Sequence, residues 1–187
     1  MRIISGNLKG KKIELPSDKS TRPLKDLTKE SIFNIIQHSN LCKLELKKSN
    51  ILDCFSGTGS FGLECISRGA EKVIFIENYK PAIQVLEKNI TNLKVQNLCE
   101  IYRSNISNFF KNHNSSKFDL IFFDPPYKFK EINNIFKLIY ENNLLDKNGI
   151  IILHRHKKSI EKLPVNFNKI ESKIYGISKI IFYKSAY

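Results

Sequence analysis

Two short segments carry residue types whose spacing could do chemistry. The first is Asp124-Pro125-Pro126-Tyr127. A carboxylate, and a carbonyl that the prolines free from any strand ladder, can both accept hydrogen bonds from a planar NH2 group. An exocyclic amine on a nucleobase is a poor nucleophile, because its lone pair is delocalised into the ring. Asp124 and the Pro125 carbonyl would hold that lone pair toward an electrophile and stabilise positive charge developing on nitrogen. Pro126 stiffens the loop. Tyr127 offers a ring on which an extruded base could stack, worth about 1–3 kcal/mol per base. Taken alone, Asp-Pro-Pro is also an ordinary turn after a strand.

The second segment is Gly57-Thr58-Gly59-Ser60-Phe61-Gly62, a GxGxxG run. Glycines there allow a tight turn and a close approach of backbone to ligand. Glu77 follows Gly59 by 18 residues and is placed to accept ribose hydroxyl hydrogen bonds. A nicotinamide dinucleotide and S-adenosylmethionine both fit this layout, and so does a bare strand–helix turn. Asp53, four residues before Gly57, favours the methyl donor. A pyrophosphate would be repelled by it, whereas a sulfonium and an ammonium set against one carboxylate make a net positive ligand. Transfer from that donor to an amine needs no metal and no covalent intermediate.

These segments need strands and helices to bring them together. Residues 51–55, 72–77, 98–103, 118–123 and 149–153 read as short apolar strands, and FDLIFF (118–123) suits a strand covered on both faces. Helical stretches follow the glycine loop to Arg68, run from Pro81 to about Asn92, and occupy 131–143 with Ile132, Ile135, Phe136 and Ile139 inward. Two further strands, 169–176 and 178–184, meet at Gly176. Such alternation predicts an α/β fold, a doubly wound seven-stranded Rossmann-like sheet, with the final hairpin antiparallel at its edge. In such sheets ligands bind outside the carboxyl ends of the strands, so both segments should face one crevice. Ahead of the sheet, residues 1–15 read as a β-hairpin, 16–23 as a loop, and Leu24–His38 as a helix with Leu27, Ile32, Phe33, Ile35 and Ile36 on its apolar face. The chain therefore divides into an N-terminal hairpin-and-helix arm (1–49) and a methyltransferase domain (50–187).

Length and composition bound the possibilities. The 187 residues, 41% hydrophobic, are enough for one domain with a real core. No apolar run approaches a membrane span, and MRIISGNLKGKK lacks the apolar core of a secretory signal. Cys42, Cys54, Cys65 and Cys99 show no CxxC pair, which points to reduced thiols in a cytoplasm rather than zinc. The net charge is +13, unevenly spread. Residues 50–153 hold 12 basic against 11 acidic side chains, residues 1–30 hold 8 against 4, and residues 154–187 hold 8 against 2. A near-neutral core with basic ends fits a small donor in the middle and phosphates gripped at the ends.

With these motifs in place, the sequence resembles the bacterial 16S ribosomal RNA guanine-N2 methyltransferases of the RsmD type. The resemblance rests on RIISGNLKGKKIELP, RPLKDLTKESIFNII, LDCFSGTGSFGLECISRGA and FFDPPY, and runs along nearly the whole chain. It implies S-adenosylmethionine as donor, S-adenosylhomocysteine as product, and the N2 amine of a guanine in 16S RNA, free or in a small-subunit particle, as acceptor. Asp53, Phe55, Gly57, Thr58 and Gly59 fall on the donor loop, Glu77 on the ribose-binding acid with Asn78 beside it, and Asn105 with Ile106 beside the adenine. Asp124, Pro125, Pro126 and Tyr127 fall on the catalytic tetrapeptide. Lys9, Lys11, Lys12, Arg22 and Lys25 are the first RNA-contact candidates, on an arm that would also cover the donor. No membrane is implied, and a monomer is the simplest expectation. Where the family's fifth strand usually ends in Glu, this chain has His154-Arg155-His156, which reads as a surface run rather than a metal site. A DNA adenine-N6 or cytosine-N4 methyltransferase, a dinucleotide-dependent oxidoreductase and a non-catalytic RNA-binding assembly factor are the competing readings.

Overall fold

The computed structural model describes residues 1–17, 24–40, 42, 44–113, 117–160 and 164–186. Seven strands form one sheet: β1 (Asn50–Cys54), β2 (Lys72–Ile76), β3 (Cys99–Tyr102), β4 (Phe118–Phe123), β5 (Leu145–His156), β6 (Phe167–Tyr175) and β7 (Ser178–Ser185). Their order is β3-β2-β1-β4-β5-β7-β6. β1 to β5 pair in parallel, and β7 lies antiparallel between β5 and β6. The chain winds outward from β1 through β2 to β3, then returns to the other side of β1 with β4. The connections leaving the paired strands β1 and β4 therefore run in opposite directions, and this switch point is where a crevice opens at their carboxyl ends.

Helices cover both faces. α1 (Asp26–His38), α2 (Ser60–Ser67) and α3 (Lys80–Leu93) lie on one, and α4 (Ile106–Asn112) and α5 (Ile132–Glu141) on the other. Alternate residues of the central strands feed the two cores. Ile51, Leu120, Phe122, Ile150 and Ile152 join the first, and Leu52, Ile121, Phe123, Ile151 and Leu153 join the second. That double burial is why these strands are continuous apolar runs. No helix among the described residues is long and apolar enough to cross a membrane.

The arm is built into the first core. Ile3, Ile13, Leu24, Ile32, Phe33 and Ile36 pack with α2 and the sheet. A ring stack runs from Phe33 through Phe61 to Phe122, with centroids 5.2 and 3.8 Å apart. Polar contacts fix its register. Glu64 of α2, fully buried, accepts from Ile4 N (2.7 Å), Ser5 N (2.9 Å) and Arg68 Nε (2.9 Å), and Lys29 Nζ lies 3.6 Å away. Lys29 also donates to Arg2 O (3.0 Å) and Ser60 Oγ (3.2 Å). Burial pushes its ammonium below the ordinary lysine value, and Glu64 and Asp26 oppose the fall.

Several expectations are corrected here. Leu27 is 78% exposed rather than on the apolar face of α1. Thr28 and Lys29 face inward in that turn instead, because Lys29 has a buried carboxylate to meet. Ile35, half-buried, does pack against the first core. The N-terminal hairpin is held by one isolated bridge, Arg2 to Lys12, and a few backbone hydrogen bonds rather than by two regular strands. α4 lies in a stretch that the periodicity leaves as loop. Its sequence ISNFFKN is short and rich in poor helix formers, and it is held by the Asn105 cap and by burial of Phe109 and Phe110. β5 extends beyond 149–153 at both ends.

Removing the carboxylate of Glu64 leaves a buried lysine and two backbone N–H groups without their acceptor. Glu64→Ala is expected to cost about 3–5 kcal/mol, read as a lowered midpoint in urea unfolding, whereas the exposed Leu27→Ala should change it by less than about 0.5 kcal/mol.

Candidate functional site

The crevice at the β1/β4 switch point is a cavity of about 810 Å³, within the range of small-molecule sites. Asp53, Phe55, Gly57, Thr58, Glu77, Asn78, Asn105, Ile106 and the tetrapeptide Asp124–Tyr127 all line it. The sequence-predicted donor set is thus gathered in one place, with one exception. Gly59 is buried at the N-terminus of α2 with φ +82°, and a Cβ there would lie 2.4 Å from Leu86 Cδ1. Its role is to let α2 start against α3.

The loop is held by carboxylates. Asp53, 1% exposed, accepts from Gly62 N through Oδ2 at 2.9 Å and so fixes the first turn of α2. Gly62 must lack a side chain, because a Cβ would meet the Phe75 ring at 2.4 Å. Glu77 accepts from Gly57 N at 2.8 Å through one oxygen, and from Asn78 N and Tyr79 N at 2.9 Å through the other. A carboxylate offers about four lone-pair positions, so three backbone donors leave room for one more. Phe55 takes φ +59°, a left-handed conformation that costs roughly 1–2 kcal/mol in a residue with a side chain. It ends β1 as a corner, and Phe129 from beyond the tetrapeptide packs edge-on against it at 5.0 Å. Asn105 caps α4, its Oδ1 accepting from Asn108 N at 2.8 Å.

Four acidic residues line the cavity: Asp53, Glu77 and Asp124 in or just after β1, β2 and β4, and Glu131, which accepts from Ser107 Oγ. Burial pushes the Asp53 carboxyl up to about 8, the Gly62 N–H opposes the rise, and Asp124 and Glu77 add to it. A wall of this kind suits a cation and disfavours a pyrophosphate.

The catalytic tetrapeptide is gripped from β5. His154, 2% exposed, lies with Nδ1 2.7 Å from Asp124 Oδ1. The carboxylate accepts, so the ring carries its proton on that nitrogen. Arg155, 5% exposed, donates to Pro126 O and Phe129 O, each at 3.1 Å. His156 meets the Tyr127 ring edge-on at 5.2 Å. The run His154-Arg155-His156, expected at the surface, is instead a clamp whose first two members are buried. β5 continues three residues past its last pairing with β4, at Leu153, and so runs alongside the loop that follows β4.

The arm contributes Met1, Leu15 and Leu24 to the cavity wall. Asn89 of α3, 1% exposed, joins hairpin to loop: Oδ1 accepts from Glu14 N, and Nδ2 donates to Glu14 O and Thr58 O. Of the arm's RNA-contact candidates, Lys25 is exposed beside Leu24. Lys9 and Lys11 are exposed near the hairpin tip, where Asn7 and Leu8 bond to Ser67 at the end of α2 remote from the crevice. Lys12 is exposed opposite Arg2. Arg22 lies outside the described residues.

A family model described as "Conserved hypothetical protein 95" matches residues 1–184. The chain belongs to that family. Its relatives include the ribosomal RNA small subunit methyltransferase D of Haemophilus influenzae, 32% identical over 99% of this chain and 94% of its own. The protein of the same name from Buchnera aphidicola of Acyrthosiphon pisum is 34% identical over 92% of this chain and 86% of its own. A solved structure from Escherichia coli, described as a candidate methyltransferase, superposes with a TM-score of 0.85 at 25% identity, covering 99% of this chain and 97% of that one. These findings bear out the resemblance read from the motifs, and the fold is that of an α/β methyltransferase.

Within this family frame, the residues that sequence reasoning missed are His154, Arg155, Asn89 and Phe129. Each acts on loop backbone or on another side chain, and none belongs to a recognisable motif. Arg155 is the sharpest case. Arg155→Ala removes two charge-assisted hydrogen bonds to partly buried loop carbonyls, each worth about 1.5–3 kcal/mol at most. It is expected to speed hydrogen exchange at the Phe129 amide, which donates to Pro126 O at 2.9 Å, while leaving exchange in β1 and β2 unchanged.

Proposed function

We propose that the protein transfers a methyl group from S-adenosylmethionine to the exocyclic N2 amine of a guanine in 16S ribosomal RNA, releasing S-adenosylhomocysteine and the displaced amine proton. One observation carries this reading. The glycine loop, a carboxylate-lined cavity and an Asp-Pro-Pro-Tyr loop with Asp124 held by His154 converge on a single crevice. The relatives named for small-subunit RNA methylation support an RNA acceptor over DNA.

The residues present fit the donor. The cavity has the volume for it, and Asp53, Glu77 and Asp124 offset its net positive charge. Glu77, on the adjoining strand end, keeps a lone-pair position for a ribose hydroxyl. Asn78, Asn105 and Ile106 flank the adenine side. When bound, S-adenosylmethionine supplies an electrophilic methyl group on a sulfonium. The rest is done by the chain. His154 occupies Asp124 Oδ1, which leaves Oδ2 to accept from the guanine amine. The Pro125 carbonyl takes the second N–H. The two acceptors fix the nitrogen lone pair in line with the methyl group and stabilise the charge that grows on nitrogen. Tyr127, 39% exposed at the mouth, stacks on the base. A single chain supplies every group in this scheme, so a monomer suffices, working in the cytoplasm where small subunits are assembled.

The test is methyl transfer from labelled donor to small-subunit particles from a strain lacking this protein, followed by nucleotide mapping. A single methylated guanine is expected, and label appearing only in DNA would overturn the reading. Asp124→Ala should reduce turnover by at least about a hundredfold, with a much smaller loss of donor affinity.

The raised Asp53 gives a second expectation. Below about pH 8 the free protein carries Asp53 protonated. A cationic ligand favours the carboxylate, so binding must release a proton, and donor affinity should rise with pH up to about 8 and then level. Calorimetry at about pH 7 in two buffers of different ionisation enthalpy should show release of up to about one proton per donor bound. The release should vanish in Asp53→Asn.

A further inference from the structure

The ribbon β5–β7–β6 extends past the end of β4 beside the catalytic loop. His154, Arg155 and His156 pair with Ile180, Lys179 and Ser178 of β7, which in turn pair with Lys173, Ile174 and Tyr175 of β6. Three residues beyond the end of β4 amount to about 10 Å of extension. Directly paired residues share a face of a sheet. His156, Ser178 and Tyr175 therefore form one row, and its inner end touches Tyr127 through the His156 ring. The row places three rings, Tyr127, His156 and Tyr175, in file from the catalytic tetrapeptide to the sheet edge. With about 4.8 Å per strand, the last lies roughly 10 Å from the second.

The tip of the ribbon is apolar and open. Tyr175 is 37% exposed, Ile177 50% and Ile174 60%. Isoleucines at a hairpin tip gain nothing from water, and exposed apolar groups next to a functional site mark contact surfaces. The flanks are basic. Lys157, Lys158 and Lys173 are exposed, and Lys179 donates to Ser159 O, tying the turn after β5 to the ribbon. Among the described residues from 154 to 186 the acid is Glu171, 3.9 Å from Lys173. Rings in file with cations beside them are the elements of single-strand nucleic-acid recognition, since every base has a face to stack and every nucleotide a phosphate to neutralise.

We infer that this ribbon is the platform for the single-stranded RNA next to the target nucleotide. Tyr127 takes the reacting base, Tyr175 and Ile177 take a neighbouring base, and Lys157, Lys158 and Lys173 hold the intervening phosphates. This rests on the RNA methyltransferase reading and adds where the strand runs. It gives the basic C-terminal end a definite path for the strand, whereas Lys9 and Lys11 lie near the end of α2 remote from the crevice.

The experiment uses the full chain with two probes: a guanine-containing single-stranded RNA of about 12 nucleotides, and small-subunit particles from a deletion strain. Tyr175→Ala is expected to weaken oligonucleotide binding on the order of tenfold. It should raise KM for particles by a similar factor, with the effect on KM and not on kcat. Tyr175→Phe, which keeps the ring, should bind like the native protein. The double change Lys157→Ala with Lys158→Ala should flatten the plot of log Kd against log salt by about 0.7 for each phosphate no longer neutralised. Unchanged oligonucleotide binding and KM in Tyr175→Ala and in the lysine variant would overturn the platform while leaving the methyltransferase reading intact. Weaker binding to particles alone would also overturn it, because the tip would then be reading ribosomal protein. Failure of the native chain to methylate any RNA would instead overturn the reading beneath it.

Discussion

Three of the four carboxylates facing the crevice stand in or just after the neighbouring strands β1, β2 and β4 and repel each other, and the architecture around the site can be understood as the means of keeping them there. Each is held by groups that cannot easily move away. Asp53 is tied to Gly62 N, Glu77 to three backbone donors, and Asp124 to His154. The glycine loop owes its path to these anchors as much as to its glycines. Asp53 sets where α2 begins, and Glu77 sets how far the loop rises from β2. Burial is what mainly raises the proton affinity of Asp53, and the neighbouring Asp124 and Glu77 add to it. A cation offsets the repulsion, so selection of a positively charged donor is built into the wall of the site.

The arm is part of the same system. Glu64 and Lys29 are buried together between α1, α2 and the first residues of the chain, and the Phe33–Phe61–Phe122 stack carries that packing to the cavity wall. Buried ionic pairs add little net stability over a well-packed apolar core, but they penalise any other register severely. Here the register fixes Met1 and Leu15 over the crevice.

How much of this the sequence discloses depends on the range of the interaction concerned. Strands buried on both faces announce themselves, because residues such as those of FDLIFF need only be apolar. The tetrapeptide and the glycine loop are legible for a similar reason, since their chemistry lies in residues adjacent along the chain. What escapes is the orientation of polar residues whose partners are remote in sequence. Lys29 turns inward and displaces Leu27 to solvent because Glu64 waits there. His154 and Arg155 are buried because a loop roughly 25–30 residues earlier offers them acceptors. α4 escapes because a cap and two phenylalanines, not propensity, hold its two turns together.

The position of β7 has a consequence for how the molecule comes into being. β5 carries the clamp on the catalytic loop, yet one of its two hydrogen-bonded neighbours is β7, which is made after β6 and then inserts between them. During synthesis β5 must therefore wait, as an open edge, until the last residues of β7 have left the exit tunnel. Until then His154 and Arg155 sit on an unsupported strand. The clamp on the catalytic loop is therefore complete only once β7 has paired with β5.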